Sequence, residues 1–283
     1  MWTENVSTFL GCDSGYEDAK AVIFGAPFDG TTSYRPGTRF ASRVMRAESY
    51  GLETYSPYQD KDLTDYNVFD GGDLDLPFGN VQAVLNKIEE KAGTILQDGK
   101  IPVMLGGEHL VTLGAVRAAV KKHPDLHILH FDAHTDLRED YLGEALSHAT
   151  VIRRCWDLVG DGRVYQFGIR SGDRPEFKWA DEGHVTMRKF DLHGFAQTVE
   201  KLRGKPIYVT IDLDVLDPSA FPGTGTPEAG GVTFMELLGA ILSLKGANVV
   251  ACDINELSPP YDQSGTSTAT ALKVLRELLL AVL

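Results

Sequence analysis

Residues 126–136 read LHILHFDAHTD, a largely apolar run that ends in Asp132, His134 and Asp136. The run lacks the polar alternation of a half-exposed strand, which is typical of a strand buried on both faces of a parallel sheet. Three further runs have the same form: IPVMLGGEH at 101–109, IYVTIDLD at 207–214 and VVACDINEL at 249–257. These runs predict a mainly parallel sheet with helices on both faces.

The rest of the chain repeats this alternation of strand and helix. Strands are predicted at 21–27, 67–70, 101–105, 126–132, 163–169, 184–190, 206–212 and 248–254. Helices are predicted at 40–53, 81–97, 110–121, 150–158, 174–181, 192–202, 233–244 and 267–283. The sequence contains no repeat, low-complexity tract or Pro/Ser linker, so we expect one domain over residues 1–283.

The composition excludes several classes of protein. With 283 residues, 43% hydrophobic and 24% charged, the chain can bury a large core and is not disordered. A net charge of −13 argues against a nucleic-acid partner. Three scattered cysteines do not form a disulfide framework or a zinc motif. Residues 1–7 do not resemble a secretory signal and no run of ~18 apolar residues occurs, so we expect no membrane partner and a cytoplasmic location.

The polar segments follow directly after the predicted strands, where open α/β sheets bind their ligands. Side chains two residues apart on extended chain point to the same side, so Asp132 faces the same way as His134, and Asp212 the same way as Asp214. The converging set has two imidazoles and four carboxylates: His109, Asp132, His134, Asp136, Asp212 and Asp214.

This set predicts a metal centre. A single Asp at a strand end is more often a helix cap or turn residue than a ligand. Four carboxylates in one crevice, however, would repel each other unless cations lay among them, and two divalent ions supply four positive charges. Carboxylates and imidazoles without a thiolate suit Mn²⁺ and also accommodate Zn²⁺, Fe²⁺, Ni²⁺ or Co²⁺.

These motifs resemble those of the ureohydrolases, the family of arginases, agmatinases and related guanidino-group hydrolases. The resemblance covers nearly the whole chain and implies a three-layer α/β sandwich on an eight-stranded, mainly parallel sheet, in one catalytic domain at 1–283. It also implies a homo-oligomer, either a trimer or a hexamer. The implied ligands of one Mn²⁺ are His109, Asp132, Asp136 and Asp212, and those of the other are Asp132, His134, Asp212 and Asp214.

Within the family the agmatinases are the most similar. The segments that carry this likeness include GAPFDG at 25–30, YRPGTRF at 34–40, SHAT at 147–150 and ELSPPYD at 256–262. The likeness implies hydrolysis of agmatine, a small cationic guanidino compound, to putrescine and urea. Glu139, Asp140 and Glu144, in the loop at 137–146, would repel a substrate carboxylate and favour a distal ammonium. Alternatively, they are solvated loop charges.

The resemblance also assigns catalytic roles. Two metals would lower the pKa of a shared water from 15.7 toward ~7, which yields a nucleophile for the guanidinium carbon. Glu256 would hold the guanidinium N–H groups by charge-assisted hydrogen bonds. Asp136 would relay a proton to the leaving amine, and His148 would exchange it with solvent because imidazole titrates near neutral pH.

Three alternatives remain open at this point. The substrate is another guanidino compound, such as arginine, guanidinobutyrate or formimidoylglutamate. The chain is a single-zinc deacetylase of related fold, or it is a metal-binding protein without activity. The loop at 223–228 lies near the site in agmatinases, yet it also fits a plain surface loop. A structural role is predicted for the remaining histidines, His123, His127, His130, His184 and His193.

Overall fold

The computed structural model describes residues 7–283, so residues 1–6, on which part of the signal-peptide prediction rests, lie outside the described residues. The strands are β1 Ala21–Gly25, β2 Tyr55–Ser56, β3 Lys61–Asp62, β4 Val68–Asp73, β5 Ile101–Leu105, β6 His127–Phe131, β7 Val164–Ile169, β8 Thr186–Lys189, β9 Ile207–Asp212 and β10 Val249–Asn255. All but β2 and β3 form one parallel sheet, in the order β4-β1-β5-β10-β9-β6-β7-β8. The other two pair antiparallel as a small hairpin.

Helices cover both faces of this sheet. They are α1 Ala41–Glu48, α2 Val81–Gln97, α3 Thr112–Lys122, α4 Val151–Val159, α5 Arg174–Asp181, α6 Phe195–Lys201, α7 Phe234–Leu242 and α8 Thr266–Val282. One core cluster joins the sheet to α1, α6, α7 and α8, and a second joins it to α2, α3, α4 and α5. The predicted three-layer α/β sandwich is therefore confirmed. Within residues 7–283, none of the helices has the length and apolar character that a membrane crossing requires.

Burial on both faces explains the apolar strands. In β6, Leu129 and Phe131 pack in one core cluster, whereas Ile128 packs in the other, and all three are fully buried. Each such side chain contributes roughly 1.5–3 kcal/mol relative to an exposed one. The polar residues beyond Phe131 therefore begin where the apolar layers end.

All eight predicted strands are present, with ends that differ by at most three residues. The helix predicted at 40–53 ends earlier, at Glu48, because a 3₁₀ turn at Ser49–Gly51 leads into extended Leu52. The helix predicted at 192–202 begins later, at Phe195, because Gly194 has a left-handed backbone (φ 87°). The β2–β3 hairpin was not predicted, since two-residue strands leave no periodic pattern.

The contact between α2 and α3 depends on a glycine. A Cβ at Gly114 would lie 2.8 Å from the carbonyl oxygen of Leu85 and 2.8 Å from Ile88 Cβ, which is closer than van der Waals contact permits. Gly93, on the facing helix, has room: its Cβ would lie 3.9 Å from that of Ala118.

We expect Gly114→Ala to destabilise the protein by about 1–3 kcal/mol, because the helices must separate to admit the methyl group. Gly93→Ala is the matched control, since it makes the same change in helix propensity without a clash and should stabilise by roughly 0.5–1 kcal/mol. Urea denaturation of both variants measures the difference. Equal effects of the two substitutions would contradict the close packing at Gly114.

Candidate active site

The candidate site lies where four neighbouring strands end. β5, β10, β9 and β6 are adjacent in the sheet, and their carboxyl ends lie at the same edge. The polar segments at 106–109, 255–257, 212–214 and 132–136 coincide with these ends or follow them directly. Segments that are far apart in sequence are thereby brought to one crevice, as the sequence predicts.

His109 lies among three carboxylates. Its Nδ1 is 3.0 Å from Asp132 Oδ2, 3.0 Å from Asp136 Oδ2 and 3.4 Å from Asp212 Oδ2. Its Nε2 is 2.9 Å from the hydroxyl of Thr210, so the ring is held from behind. The structure therefore brings together four of the six predicted ligands around one imidazole nitrogen.

The other two predicted ligands adjoin this group. His134 Nδ1 lies 3.0 Å from Asp214 Oδ2 and 3.4 Å from Asp132 Oδ1. Asp132 thus faces His109 with one oxygen and His134 with the other. Within residues 7–283, the side chains whose ligand atoms approach closely enough to hold an ion form two groups that share Asp132: His109, His130, Asp132 and Asp136, and then Asp132, His134 and Asp214.

Burial and mutual repulsion perturb the carboxylates. Burial raises the pKa of Asp136 to about 7 and that of Asp212 well above its ordinary value. Burial would also raise the pKa of Asp132, but the adjacent His109 ring and the hydrogen bond from His130 hold it well below the usual range. The three carboxylates therefore have different proton affinities although they lie side by side.

Burial and the neighbouring carboxylates shift the pKa values of the two imidazoles in opposite directions. Burial would lower their pKa values, yet the carboxylates around them raise the pKa of both His109 and His134 well above the ordinary value. Protons on these rings offset the carboxylate repulsion. A divalent cation bound in place of these protons would offset the same repulsion.

A buried orphan atom shows that the residues fit a metal ion. Among residues 7–283, His109 Nδ1 has no hydrogen-bond partner of acceptable geometry, although three carboxylate oxygens surround it. A buried nitrogen in such a position is suited to metal ligation, and its other nitrogen already has the supporting partner that metal-bound histidines need. Oxygen and imidazole donors without thiolates match the preference of Mn²⁺.

Asp136 and Glu256 have left-handed backbones, with φ angles of 51° and 65°. This conformation costs a non-glycine residue about 1–3 kcal/mol. Backbone contacts hold both: the Asp136 carbonyl accepts hydrogen bonds from Ile152 and Arg153, and the Glu256 N–H donates to Gly107. The turns aim both side chains into the pocket instead of along the sheet.

Glu256 lies at the base of the pocket beside His109. Its Oε1 accepts a 2.7 Å hydrogen bond from the His109 backbone N–H, and burial raises its pKa well above the usual range. A Cβ at Gly225 would lie 3.5 Å from Glu256 Oε2, within van der Waals contact of the carboxylate. The loop at 223–228 therefore adjoins the site, and Thr226 lines the pocket.

His148 lines the wall of the pocket. Its Nε2 is 3.2 Å from Ser33 Oγ, its backbone N–H donates to Thr31 Oγ1 at 3.1 Å, and its ring packs edge-on against Tyr141. Burial lowers the pKa of His148 to about 4. Burial thus moves this imidazole away from the near-neutral pKa expected from its residue type, and the sequence does not reveal that burial.

Glu108 is a buried acid whose role was not predicted from the sequence. Its carboxylate accepts hydrogen bonds from the Thr31 N–H (2.9 Å), the Thr31 hydroxyl (2.5 Å) and the Thr32 hydroxyl (3.1 Å). Burial raises its pKa to about 7. Glu108 thus fixes the loop that contacts His148.

The loop at 137–146 does not form an acidic wall. Glu139, Asp140 and Glu144 are exposed and do not line the pocket, so they are solvated loop charges. The pocket has a volume of about 220 Å³, and Arg138 and Asp173 line it instead. A guanidinium nitrogen of Arg138 lies 3.0 Å from a carboxylate oxygen of Asp173. This pair was not predicted from the sequence, because its two members come from separate loops.

Comparison with known proteins identifies the family. The model of the arginase family matches residues 19–281. The chain belongs to the arginase family. The resemblance inferred from the metal-ligand motifs is therefore confirmed.

Individual members of the arginase family cover almost the whole chain. Agmatinase of Bacillus subtilis (strain 168) is 50% identical over 275 residues, which is 96% of this chain and 95% of that protein. Guanidinobutyrase of Pseudomonas aeruginosa is 36% identical over 271 residues, 92% of this chain and 85% of that protein. The crystal structure of agmatine ureohydrolase of Thermoplasma volcanium matches with a TM-score of 0.90 at 36% identity, covering 98% of this chain and 94% of that chain.

We expect Mn²⁺ binding at this site to release protons. The raised pKa values of His109 and His134 mean that both rings are protonated near pH 7 without metal, and a metal ion must displace those protons. The apparent affinity should therefore increase as the pH rises from 6 to 8. Calorimetric titration in two buffers of different ionisation enthalpy counts the protons released, and a count of zero would contradict the pKa directions.

Proposed function

We propose that this arginase-family chain hydrolyses agmatine to putrescine and urea, as one catalytic domain over residues 1–283 with two Mn²⁺ ions. The observation that carries the proposal is the convergence of two imidazoles, four aspartates and Glu256 at one pocket. The 50% identity to Bacillus subtilis agmatinase favours agmatine over other guanidino compounds. A homo-oligomer, trimer or hexamer, and a cytoplasmic location belong to the same proposal.

The proposed ligands of one ion are His109, Asp132, Asp136 and Asp212, and those of the other are Asp132, His134, Asp212 and Asp214. Asp132 suits the shared position because its two oxygens face different imidazoles. When bound, the ions lower the pKa of a coordinated water toward ~7 and so supply a nucleophile at neutral pH.

Glu256 is the proposed anchor of the guanidinium group. A guanidinium is planar and stays protonated, so it needs a carboxylate that accepts its N–H groups in the correct plane. Glu256 Oε1 is fixed by the His109 N–H, and its Oε2 would accept from the substrate. The left-handed backbone at Glu256 supports this role because it aims the side chain at the pocket.

Asp136 and His148 are the proposed proton carriers. Asp136 would accept a proton at a carboxylate oxygen and pass it to the nitrogen of the leaving amine, a role supported by its position in the pocket beside His109. His148 lies on the pocket wall with a neutral ring, and would accept a proton from the pocket and release it to solvent. Ser33 and Thr31 orient its ring.

One feature of the pocket favours a second candidate, hydrolysis of a guanidino acid. Arg138 lines the pocket mouth and would pair with a substrate carboxylate once it releases Asp173. A guanidinobutyrase is 36% identical to this chain, in keeping with this alternative. The agmatinase proposal stands first because the 50% identical relative covers more of the chain.

We expect the full-length protein loaded with Mn²⁺ to release urea from agmatine with a kcat/KM roughly ten-fold or more above that for 4-guanidinobutyrate or arginine. Colorimetric urea detection, with protein stripped of metal as the control, measures this preference. A higher kcat/KM for guanidinobutyrate than for agmatine would reject the agmatinase proposal in favour of guanidino acid hydrolysis. Bound Mn²⁺ without urea from any of these compounds would refute the proposed hydrolase.

Glu256→Gln should lower kcat/KM for agmatine by roughly 10- to 100-fold, because it removes a charge-assisted contact to the guanidinium. The matched control is Glu139→Gln, the same chemical change in an exposed loop outside the pocket, which should leave kcat/KM and substrate preference unchanged. Initial rates over a range of agmatine concentrations give both values. Equal activity of the two variants would rule out Glu256 as the anchor.

A further inference from the structure

Two buried polar side chains lie beneath the candidate metal centre without a role in the proposed chemistry. His130 on β6 and Gln166 on β7 are paired directly across the sheet. Both are fully buried. A polar side chain in such a position is costly unless its hydrogen bonds are satisfied, so the partners of these two residues are informative.

The backbone determines the orientation of the Gln166 amide. The carbonyl oxygen of Thr135 can only accept a hydrogen bond, and it lies 2.7 Å from the amide nitrogen of Gln166. The same nitrogen lies 3.0 Å from His130 Nδ1. Because the NH₂ group has two hydrogens, one points to each neighbour, and His130 Nδ1 must be the acceptor.

The tautomer of His130 follows from this. With Nδ1 accepting, the ring proton of the neutral imidazole is on Nε2, which lies 2.8 Å from Asp132 Oδ2. His130 therefore donates to Asp132. The other oxygen of Asp132 accepts from the His134 backbone N–H, so both oxygens have a fixed direction.

We propose that His130 and Gln166 are a positioning pair that orients Asp132 and Asp136 for metal binding. Gln166 reaches Asp132 through the His130 ring, and it reaches Asp136 through the carbonyl of the preceding residue, Thr135. One amide group thereby couples two segments of the metal site. The inference rests on the proposed function, since it concerns how this chain holds the proposed Mn²⁺ ions.

The test compares two substitutions of His130 with a control on the same strand. His130→Phe removes the donor, and we expect it to weaken Mn²⁺ binding by roughly 10- to 100-fold, as loss of a supporting hydrogen bond does in other metal sites. His130→Gln retains an N–H at the position of Nε2 and should stay within a few-fold of the parent protein. His127→Phe makes the same change at the opposite end of β6 and should bind Mn²⁺ normally.

Isothermal titration of the full-length, metal-depleted proteins with Mn²⁺ gives the affinity and the stoichiometry, and thermal melting without metal verifies that each variant is folded. If the parent protein binds two Mn²⁺ and His130→Phe binds them with equal affinity, the positioning pair is refuted while the proposed function stands. Equal weakening by His130→Phe and His130→Gln also refutes it, because the donor would then be irrelevant. A parent protein that binds no Mn²⁺ overturns both proposals.

Gln166→Leu provides an independent measurement should His130→Phe fail to fold. It leaves the imidazole in place but removes the N–H that selects the tautomer and the hydrogen bond to Thr135. We expect weaker Mn²⁺ binding than in the parent protein. Unchanged affinity in folded Gln166→Leu would refute the coupling through Gln166.

Discussion

Repulsion among buried carboxylates is the constraint on which the site depends. Each of three aspartates uses one oxygen to accept a backbone hydrogen bond: Asp132 from His134, Asp212 from Asp214, and Asp214 from Ala133. The second oxygen of each faces an imidazole. The backbone therefore stabilises the negative charge from one side and leaves the other side to a cation. This division of the two oxygens exists only because the strands end together and their following turns interlock.

The same constraint accounts for the strained backbone. A residue that follows a strand and must turn its side chain back into the crevice cannot keep extended geometry, and Asp136 and Glu256 adopt left-handed conformations. Strain alone does not mark function, because Leu142 and Phe190 also have positive φ and lie outside the pocket. What distinguishes the site residues is strain combined with burial: Asp136 and Glu256 are each 7% exposed, whereas Leu142 and Phe190 are largely exposed.

The sequence was sufficient to predict the strands and the converging ligands, because both follow from short-range patterns: apolar runs buried on two faces, and side chains that alternate along extended chain. It was insufficient wherever the path of a loop decides the outcome. Arg138 and Glu139 are neighbours in the same acidic loop, and the sequence does not show that Arg138 lines the pocket whereas Glu139 is exposed to solvent. Glu108 stood beside a predicted ligand, yet its partners Thr31 and Thr32 are 77 and 76 residues away in sequence, respectively. The low pKa of His148 required knowledge of its burial.

One signal in the sequence would have revealed more of the site. Gln166, His130, Thr210 and Asp253 are register partners across the adjacent strands β7, β6, β9 and β10, and all four are fully buried. His130 and Thr210 precede Asp132 and Asp212 by two residues, so each supporting side chain points to the same side as the ligand after it. A polar residue two positions before a ligand, inside a strand that is otherwise apolar, is therefore better explained by support of the site than by packing. The candidate metal centre extends one layer into the sheet, and its geometry is determined by strand register as much as by the loops above it.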